Sequence, residues 1–124
     1  MNWNAPEFWV DGGCRGNHDI GGPRAAYGSI SDGQDVERST FYGIRTNNEA
    51  EYMVLMTLLT NLRPGQGPII YTDSRLIVGQ LTQGWRVRAP NLLEFHRVAA
   101  DELGLTGARL VWVPRAQIVA RLGH

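Results

Sequence analysis

The chain has 124 residues, 43% hydrophobic and 19% charged, a composition that fits one globular domain over residues 1–124 with one core. Twelve basic residues balance twelve acidic ones, so overall charge does not indicate a nucleic-acid partner, and any such binding must rest on a local basic patch. The single cysteine, Cys14, excludes an internal disulfide, which suits the reducing cytoplasm. No apolar stretch approaches about 18 residues, and none follows a basic N-terminal segment, so we expect neither a membrane span nor a signal peptide. We therefore expect a cytoplasmic protein.

Three strands are predicted in the first part of the chain. An apolar run predicts the first over residues 7–13, and the glycine-rich stretch after it is typical of a turn. Two more strands are predicted over residues 25–31 and 36–44, and residues 31–34 between them favour a hairpin.

A helix is predicted next, from Thr46 or Asn47, either of which can cap it, to about Leu62. Its apolar positions share one face at helical spacing, and Glu51 falls on that same face. These apolar positions are Leu55, Leu58 and Leu62.

Strands and helices alternate in the second half. The predicted elements are a short buried strand over 68–72, a helix from Arg75 to Gln83 that Asp73 or Ser74 can cap, a helix over 91–103 that ends at Gly104, and a strand over 108–113. The order β β β α β α α β predicts an α/β fold, in which helices pack on a mixed sheet.

Three carboxylates occupy positions that should face the core. Asp11 and Asp73 each end an apolar strand, and Glu51 lies on an apolar helix face. A buried charge is costly unless it has a partner, a metal or a chemical role. If the first and fourth strands are parallel neighbours, Asp11 and Asp73 meet where open α/β sheets place ligands, and Glu51 can reach the same point. Carboxylate oxygens suit Mg²⁺ or Mn²⁺. For any single acid, a helix cap or a salt bridge is the alternative.

Four local sequences occur in an order that matches a known family. They are DGGCRGN at 11–17 with AYG at 26–28, TNNEAEY at 46–52, YTDSRLIVGQL at 71–81 and WVPR at 112–115. Together they resemble type 1 ribonuclease H over nearly the whole chain. The resemblance implies the ribonuclease H-like fold, a five-stranded mixed sheet with helices on both faces. In that sheet strands 1–3 form an antiparallel meander, and strands 4 and 5 run parallel to strand 1.

The resemblance also implies an activity. It implies an endonuclease that hydrolyses the RNA strand of RNA/DNA hybrids by two-metal-ion chemistry and leaves 5′-phosphate and 3′-hydroxyl ends. It assigns Asp11, Glu51 and Asp73 to Mg²⁺ or Mn²⁺, with two ions bound beside the substrate. It gives hybrid-contacting roles to residues that flank these acids, namely Cys14, Asn17, Asn47 and Asn48. Short amides can bond to the 2′-hydroxyl that distinguishes RNA from DNA, although capping is the alternative for Asn47 and Asn48.

A short basic and aromatic stretch resembles the segment with which the family grips the DNA strand. It contains Trp85, Arg86 and Arg88. An arginine fork matches phosphate geometry. The alternative is a solvated loop with Trp85 folded onto the core. Pro90 follows almost at once, so the long basic protrusion of some members is absent, which predicts weaker hybrid binding with a marked salt dependence.

The C-terminal tail departs from the family pattern. Ile118 and Leu122 occupy the positions where the family carries an Asn and a fourth active-site Asp. The chain stops soon afterwards, so we expect the C-terminal helix to be nearly absent. We interpret His124 as a partial replacement for the missing Asp, with a frayed terminus as the alternative. The local sequence at Asp101 is similar to the missing motif, but it precedes the last strand, so we interpret Asp101 as a solvated helix residue.

Two other functions remain open. The chain is alternatively a non-catalytic hybrid-binding module that has lost the fourth acid, or a nuclease with another nucleic-acid preference on the same fold. A binding module has no need to keep all three acids. A DNA nuclease has no need for readers of the 2′-hydroxyl. In each case we expect a monomer with no obligatory protein partner.

Overall fold

Strands and helices alternate along a computed structural model, which describes residues 1–15, 25–44 and 46–123. The strands are β1 Glu7–Arg15, β2 Ala25–Ser31, β3 Val36–Phe41, β4 Ile69–Thr72 and β5 Arg109–Trp112. The helices are α1 Asn47–Leu59, α2 Arg75–Thr82, α3 Leu93–Thr106 and α4 Arg115–Leu122, and a 3-10 turn, Pro90–Leu92, leads into α3. None of the helices in these residues has the length and apolarity needed to cross a bilayer.

The strands form one mixed sheet in the order β3-β2-β1-β4-β5. β1, β2 and β3 make an antiparallel meander, whereas β4 pairs with β1 in parallel and β5 with β4 in parallel. The predicted mixed sheet is therefore confirmed. The parallel register places Trp9 beside Tyr71. Asp11 lies two residues further along β1 and Asp73 directly follows β4, so the two side chains come to lie side by side where these strands stop pairing.

Alternation along β1 directs its side chains to two different layers. Phe8 and Val10 face the main core, where α1 covers the sheet. Trp9 faces the opposite side and packs with Ile118 and Leu122 of α4. Helices thus cover both faces, as predicted, and β1 is buried between them. The residues of the main core that are at most 1% exposed include Phe8, Tyr52, Leu55, Leu58 and Ile70.

Several predicted boundaries were wrong by a few residues. β3 ends at Phe41 rather than at residue 44, since Gly43 takes a left-handed conformation with φ 80°. α1 ends at Leu59, although Leu62 remains buried in the turn that follows. Helices end where backbone geometry changes, and burial alone does not mark that point.

The end of α3 was also predicted wrongly. The helix passes through Gly104 and continues to Thr106, and the glycine that ends it is Gly107, with φ 70°. The backbone N–H of Gly107 donates to the carbonyl of Leu103 at 2.9 Å, as a left-handed C-terminal cap requires. Of two nearby glycines, the later one provides the cap.

The expectation that the C-terminal helix would be nearly absent is wrong. Residues Arg115–Leu122 form α4, which Gly123 ends with φ 76°. Ile118 and Leu122 are 0% and 1% exposed and lie one turn apart, so they give the helix an apolar side. That side packs on Trp9 and so covers the second face of the sheet.

Candidate metal centre

Three carboxylates converge just beyond the point where β1 and β4 stop pairing. Asp11, Glu51 and Asp73 each offer one ligand atom, and these atoms lie within 4.8 Å of one another. The Asp11 side chain is 2% exposed and that of Asp73 is 12% exposed. The structure therefore brings together the three acids that the sequence singled out.

Ser74 leaves the carboxylate of Asp73 available to this cluster. Ser74 is the N-cap of α2, and its side chain accepts a hydrogen bond from the backbone N–H of Ile77 at 3.3 Å. The capping alternative for Asp73 is therefore not realised. The Asp73 backbone carbonyl also accepts a hydrogen bond from the Trp112 indole at 3.1 Å, which ties this turn to β5.

Thr46 is the N-cap of α1 and leaves the side chain of Asn47 free for another contact. The Thr46 side chain accepts from the backbone N–H of Glu49 at 3.1 Å, and the Glu49 carboxylate accepts from the backbone N–H of Thr46 at 3.0 Å, forming a capping box. Asn47 therefore does not cap the helix. Its side-chain oxygen accepts from the backbone N–H of Cys14 at 2.8 Å, and this bond links α1 to β1.

Gly12 sets the distance between β1 and α1. A Cβ on Gly12 would lie 2.5 Å from the carbonyl oxygen of Ala50 and 2.9 Å from the backbone nitrogen of Glu51. Only a glycine lets the two backbones approach so closely. The Glu51 carboxylate consequently reaches the backbone N–H of Gly12, which donates a hydrogen bond to it.

Burial and crowding strongly disfavour a charge on Glu51. Desolvation, followed by repulsion from Asp11 and Asp73, raises its pKa to about 9, against smaller opposing effects from Arg115 and the Gly12 N–H. Without a bound cation, Glu51 therefore carries a proton at neutral pH. A divalent cation would reverse this preference, because it favours the ionised carboxylate.

Glu51 should make the metal-free protein less stable as pH rises. Its folded pKa of about 9 lies above the ordinary 4.5, so the folded state keeps a proton that the unfolded state releases between these values. The free energy of unfolding should therefore fall from about pH 5 toward about pH 9. Glu51→Gln removes this slope and should exceed wild type in stability at about pH 8 in chelator. Denaturant unfolding across this range checks it, and parallel pH profiles for the two proteins would contradict it.

Arg115 is part of this cluster and was missed by sequence reasoning. Its Nη1 donates to Asp11 Oδ1 at 2.9 Å and to Asp73 Oδ2 at 3.0 Å. The hydrogen bond to Asp73 and the charge of Asp11 raise the pKa of the guanidinium. No local signal in the sequence indicated it, because the helix that begins at Arg115 was not expected and its two carboxylate partners lie 104 and 42 positions away.

The acids open onto a cleft of about 290 Å³. Asn47 and Asn48 are exposed and line this cleft, together with Tyr27 and the backbone of Gly12 and Gly13. Cys14 is half-buried beside Asn47. Asn47 and Asn48 therefore lie at the acid cluster, and Cys14 is joined to Asn47 beside it. Asn17 and His124 lie outside the described residues, so their roles stay predictions.

The basic and aromatic stretch lies away from the lining of this cleft. Trp85 is 48% exposed, and its ring packs directly on Gly79, where a Cβ would lie 2.1 Å from ring atoms. Its backbone N–H donates to the Gly79 carbonyl at 3.0 Å. Trp85 thus folds onto α2 with one side open to solvent. Arg86 and Arg88 are exposed beside it.

The positions of the missing acid are filled by core residues. Ile118 and Leu122, which stand where the family pattern has Asn and Asp, are both buried on the inner side of α4. Asp101 instead lies exposed on α3 and pairs with Arg97 at 3.4 Å. This agrees with its interpretation as a solvated helix residue.

Known proteins resemble the chain in sequence. A family model described as RNase H matches residues 4–104. Ribonuclease HI of Synechocystis sp. is 34% identical over 85 residues, which cover 66% of this chain and 51% of that protein. The bifunctional protein Rv2228c of Mycobacterium tuberculosis is 37% identical over 118 residues, which cover 87% of this chain and 31% of that protein. The chain thus spans about half, or less, of the length of these relatives.

Two solved structures resemble this chain over most of their own length. RNase H1 from the halophilic archaeon Halobacterium salinarum NRC-1 has a TM-score of 0.70 at 28% identity, covering 93% of this chain and 89% of that one. LC11-RNase H1, solved in complex with an RNA/DNA hybrid, has a TM-score of 0.68 at 28% identity, with the same two coverages. The sheet order and the flanking helices are thus those of the RNase H-like fold.

Proposed function

The chain belongs to the ribonuclease H family, and on that premise we propose that it is an endonuclease that hydrolyses the RNA strand of RNA/DNA hybrids. The observation that carries this proposal is the convergence of Asp11, Glu51 and Asp73 within 4.8 Å. The neighbour LC11-RNase H1, which was solved with a hybrid, supports the substrate class.

The three acids fit a divalent metal site. Their donor set consists of carboxylate oxygens, which suits Mg²⁺ or Mn²⁺, and the desolvation that raises the pKa of Glu51 favours a cation beside it. When bound, such ions generate a nucleophilic water and stabilise the leaving oxygen of the phosphodiester. Asp11, Glu51 and Asp73 would hold these ions, and attack by water would leave 5′-phosphate and 3′-hydroxyl ends.

The surroundings of the acids suit recognition of the RNA strand. Asn47 and Asn48 present short amides to the cleft, which Gly12 and Gly13 also line. Such groups can bond to 2′-hydroxyls, which DNA lacks. Cys14, whose backbone N–H bonds to Asn47, extends this proposed contact along β1, and the proposed role of Asn17 rests on the family resemblance alone. Trp85, with its two neighbouring arginines, would meet the phosphates of the DNA strand further along the duplex.

Catalysis is favoured over a pure binding role. A module that only binds hybrids has no need to hold three carboxylates together, since grouping like charges in a half-buried site is destabilising. Here Gly12 and the N-caps Thr46 and Ser74 all help to bring the acids to one point. We therefore propose that three acids support turnover without the fourth, and the proposed help from His124 stays a prediction.

A substrate panel tests this function. Wild type would be incubated with an RNA/DNA hybrid, the same RNA as a single strand and the same sequence as duplex DNA, each with Mg²⁺ or Mn²⁺. Binding and cleavage would be measured separately. We expect cleavage of the hybrid alone, with binding that weakens strongly as salt rises. Hybrid binding without cleavage would favour the binding module, and cleavage of the DNA duplex would favour the other nuclease class.

A further inference from the structure

A guanidinium nitrogen occupies the space between two of the three acids. Nη1 of Arg115 is 2.9 Å from Asp11 Oδ1 and 3.0 Å from Asp73 Oδ2. Both contacts are within hydrogen-bonding distance and join opposite charges. Because a single nitrogen contacts both carboxylates, it lies where a cation shared by Asp11 and Asp73 would lie.

The acids hold this side chain in place, and its own helix does not. Arg115 is the first residue of α4, where the positive end of the helix dipole disfavours a cation. The first turn of α4 contains no acidic residue that could compensate. Asp11 and Asp73 therefore supply the partners that stabilise this arginine, and a stronger cation on those oxygens would remove them.

The side chain can leave the acids while its backbone stays fixed. It is 54% exposed, so it borders solvent. The helix beneath it is anchored by the buried Ile118 and Leu122, and the Leu122 carbonyl accepts a hydrogen bond from Arg38 Nη2 at 2.9 Å. Rotation of the Arg115 side chain would therefore expose the two carboxylates without unfolding α4.

We propose that Arg115 is the internal counter-ion of the metal-free site, which a divalent cation must displace to reach Asp11 and Asp73. This inference rests on the proposed function, since it takes the three acids to be the metal ligands. The guanidinium and the metal ion compete for the same oxygens. Arg115 consequently stabilises the metal-free protein, lowers its metal affinity and sets the metal concentration at which the site fills.

Metal affinity is the first test. Mn²⁺ would be titrated calorimetrically into wild type, Arg115→Ala and the control Arg121→Ala. Arg121 lies on the same helix and carries the same charge, but it packs over the Trp9 ring, 4.5 Å from the ring centroid. Loss of a competing charge-assisted pair should tighten Mn²⁺ binding about tenfold in Arg115→Ala. The Mn²⁺ affinity of Arg121→Ala should stay within about twofold of wild type, because this variant loses a positive charge that does not contact the acids.

Thermal unfolding gives a second, independent reading. In chelator, Arg115→Ala should melt below wild type, because Asp11 and Asp73 lose their counter-ion. In saturating Mn²⁺ this difference should shrink, since the metal replaces the lost charge and binds the variant more tightly. A merely structural role for Arg115 would leave the difference unchanged by metal.

Two results would overturn the inference, and only the second would also exclude the proposed metal site. If Asp73→Asn loses Mn²⁺ binding while Arg115→Ala binds as wild type does or more weakly, the acids bind metal and only the competition is wrong. If neither wild type nor Arg115→Ala binds Mn²⁺ at these acids, the proposed metal site fails and the inference fails with it.

Discussion

Replacing Gly12 with alanine should lower the free energy of unfolding by about 2 kcal/mol and weaken metal binding. The added Cβ would lie 2.5 Å and 2.7 Å from the carbonyl oxygen and carbon of Ala50, and 2.9 Å from the Glu51 nitrogen. All three are backbone atoms, so no flexible side chain can yield, and α1 must move away from β1. Glu51 then moves away from Asp11. Urea unfolding and a Mn²⁺ titration measure both effects.

Gly104→Ala is the matched control for this change. Gly104 lies inside α3, and nothing lies within 4 Å of a Cβ built on it. The same substitution should therefore stabilise the protein by about 0.5–1 kcal/mol through helix propensity. If both variants shifted stability in the same direction, close backbone contact at Gly12 would not explain its effect.

Asp11→Asn should reduce hybrid cleavage on the order of 10³-fold, comparable to the loss of a major electrostatic contact in an active site. Asparagine has nearly the same shape but no charge, so it is a poor ligand for Mg²⁺ or Mn²⁺. It also breaks the pair with Arg115, which holds Asp11 Oδ1 at 2.9 Å in the metal-free site. Single-turnover cleavage measures the rate, and circular dichroism shows whether the variant is folded.

Asp101→Asn provides the comparison. Asp101 is exposed on α3, where its partner is Arg97 at 3.4 Å. Surface pairs of this kind contribute little to stability, so both rate and melting temperature should match wild type. A folded Asp11→Asn protein that cleaves hybrids within about tenfold of the wild-type rate would show that Asp11 is not required.

The meeting of Asp11 and Asp73 was predictable because it follows from local rules. Side chains alternate along strands, and a parallel register places equivalent positions of β1 and β4 together. Four motifs in family order also indicated the sheet and all three acids. Which residue capped each helix was less certain, because Thr46 and Asn47, or Asp73 and Ser74, are equally capable from sequence alone.

α4 and Arg115 were not predicted, since both depend on contacts between distant parts of the chain. The absence of an Asp at position 122 suggested that the family's helix was missing, although Ile118 and Leu122 form an apolar side at helical spacing. Their partner Trp9 lies at the other end of the chain. The contact of Arg115 with Asp11 spans 104 positions. No local pattern encodes which charges meet across such a separation.

Incubation of wild type with an RNA/DNA hybrid, labelled on the RNA strand, tests most directly whether three carboxylates suffice for metal-dependent hydrolysis. Parallel reactions would contain Mg²⁺, Mn²⁺ or chelator, and the ends of the fragments would be identified. We predict RNA fragments with 5′-phosphate and 3′-hydroxyl ends in either metal and an intact strand in chelator. A hybrid that the protein binds but leaves intact in both metals would contradict the proposed catalytic role of Asp11, Glu51 and Asp73.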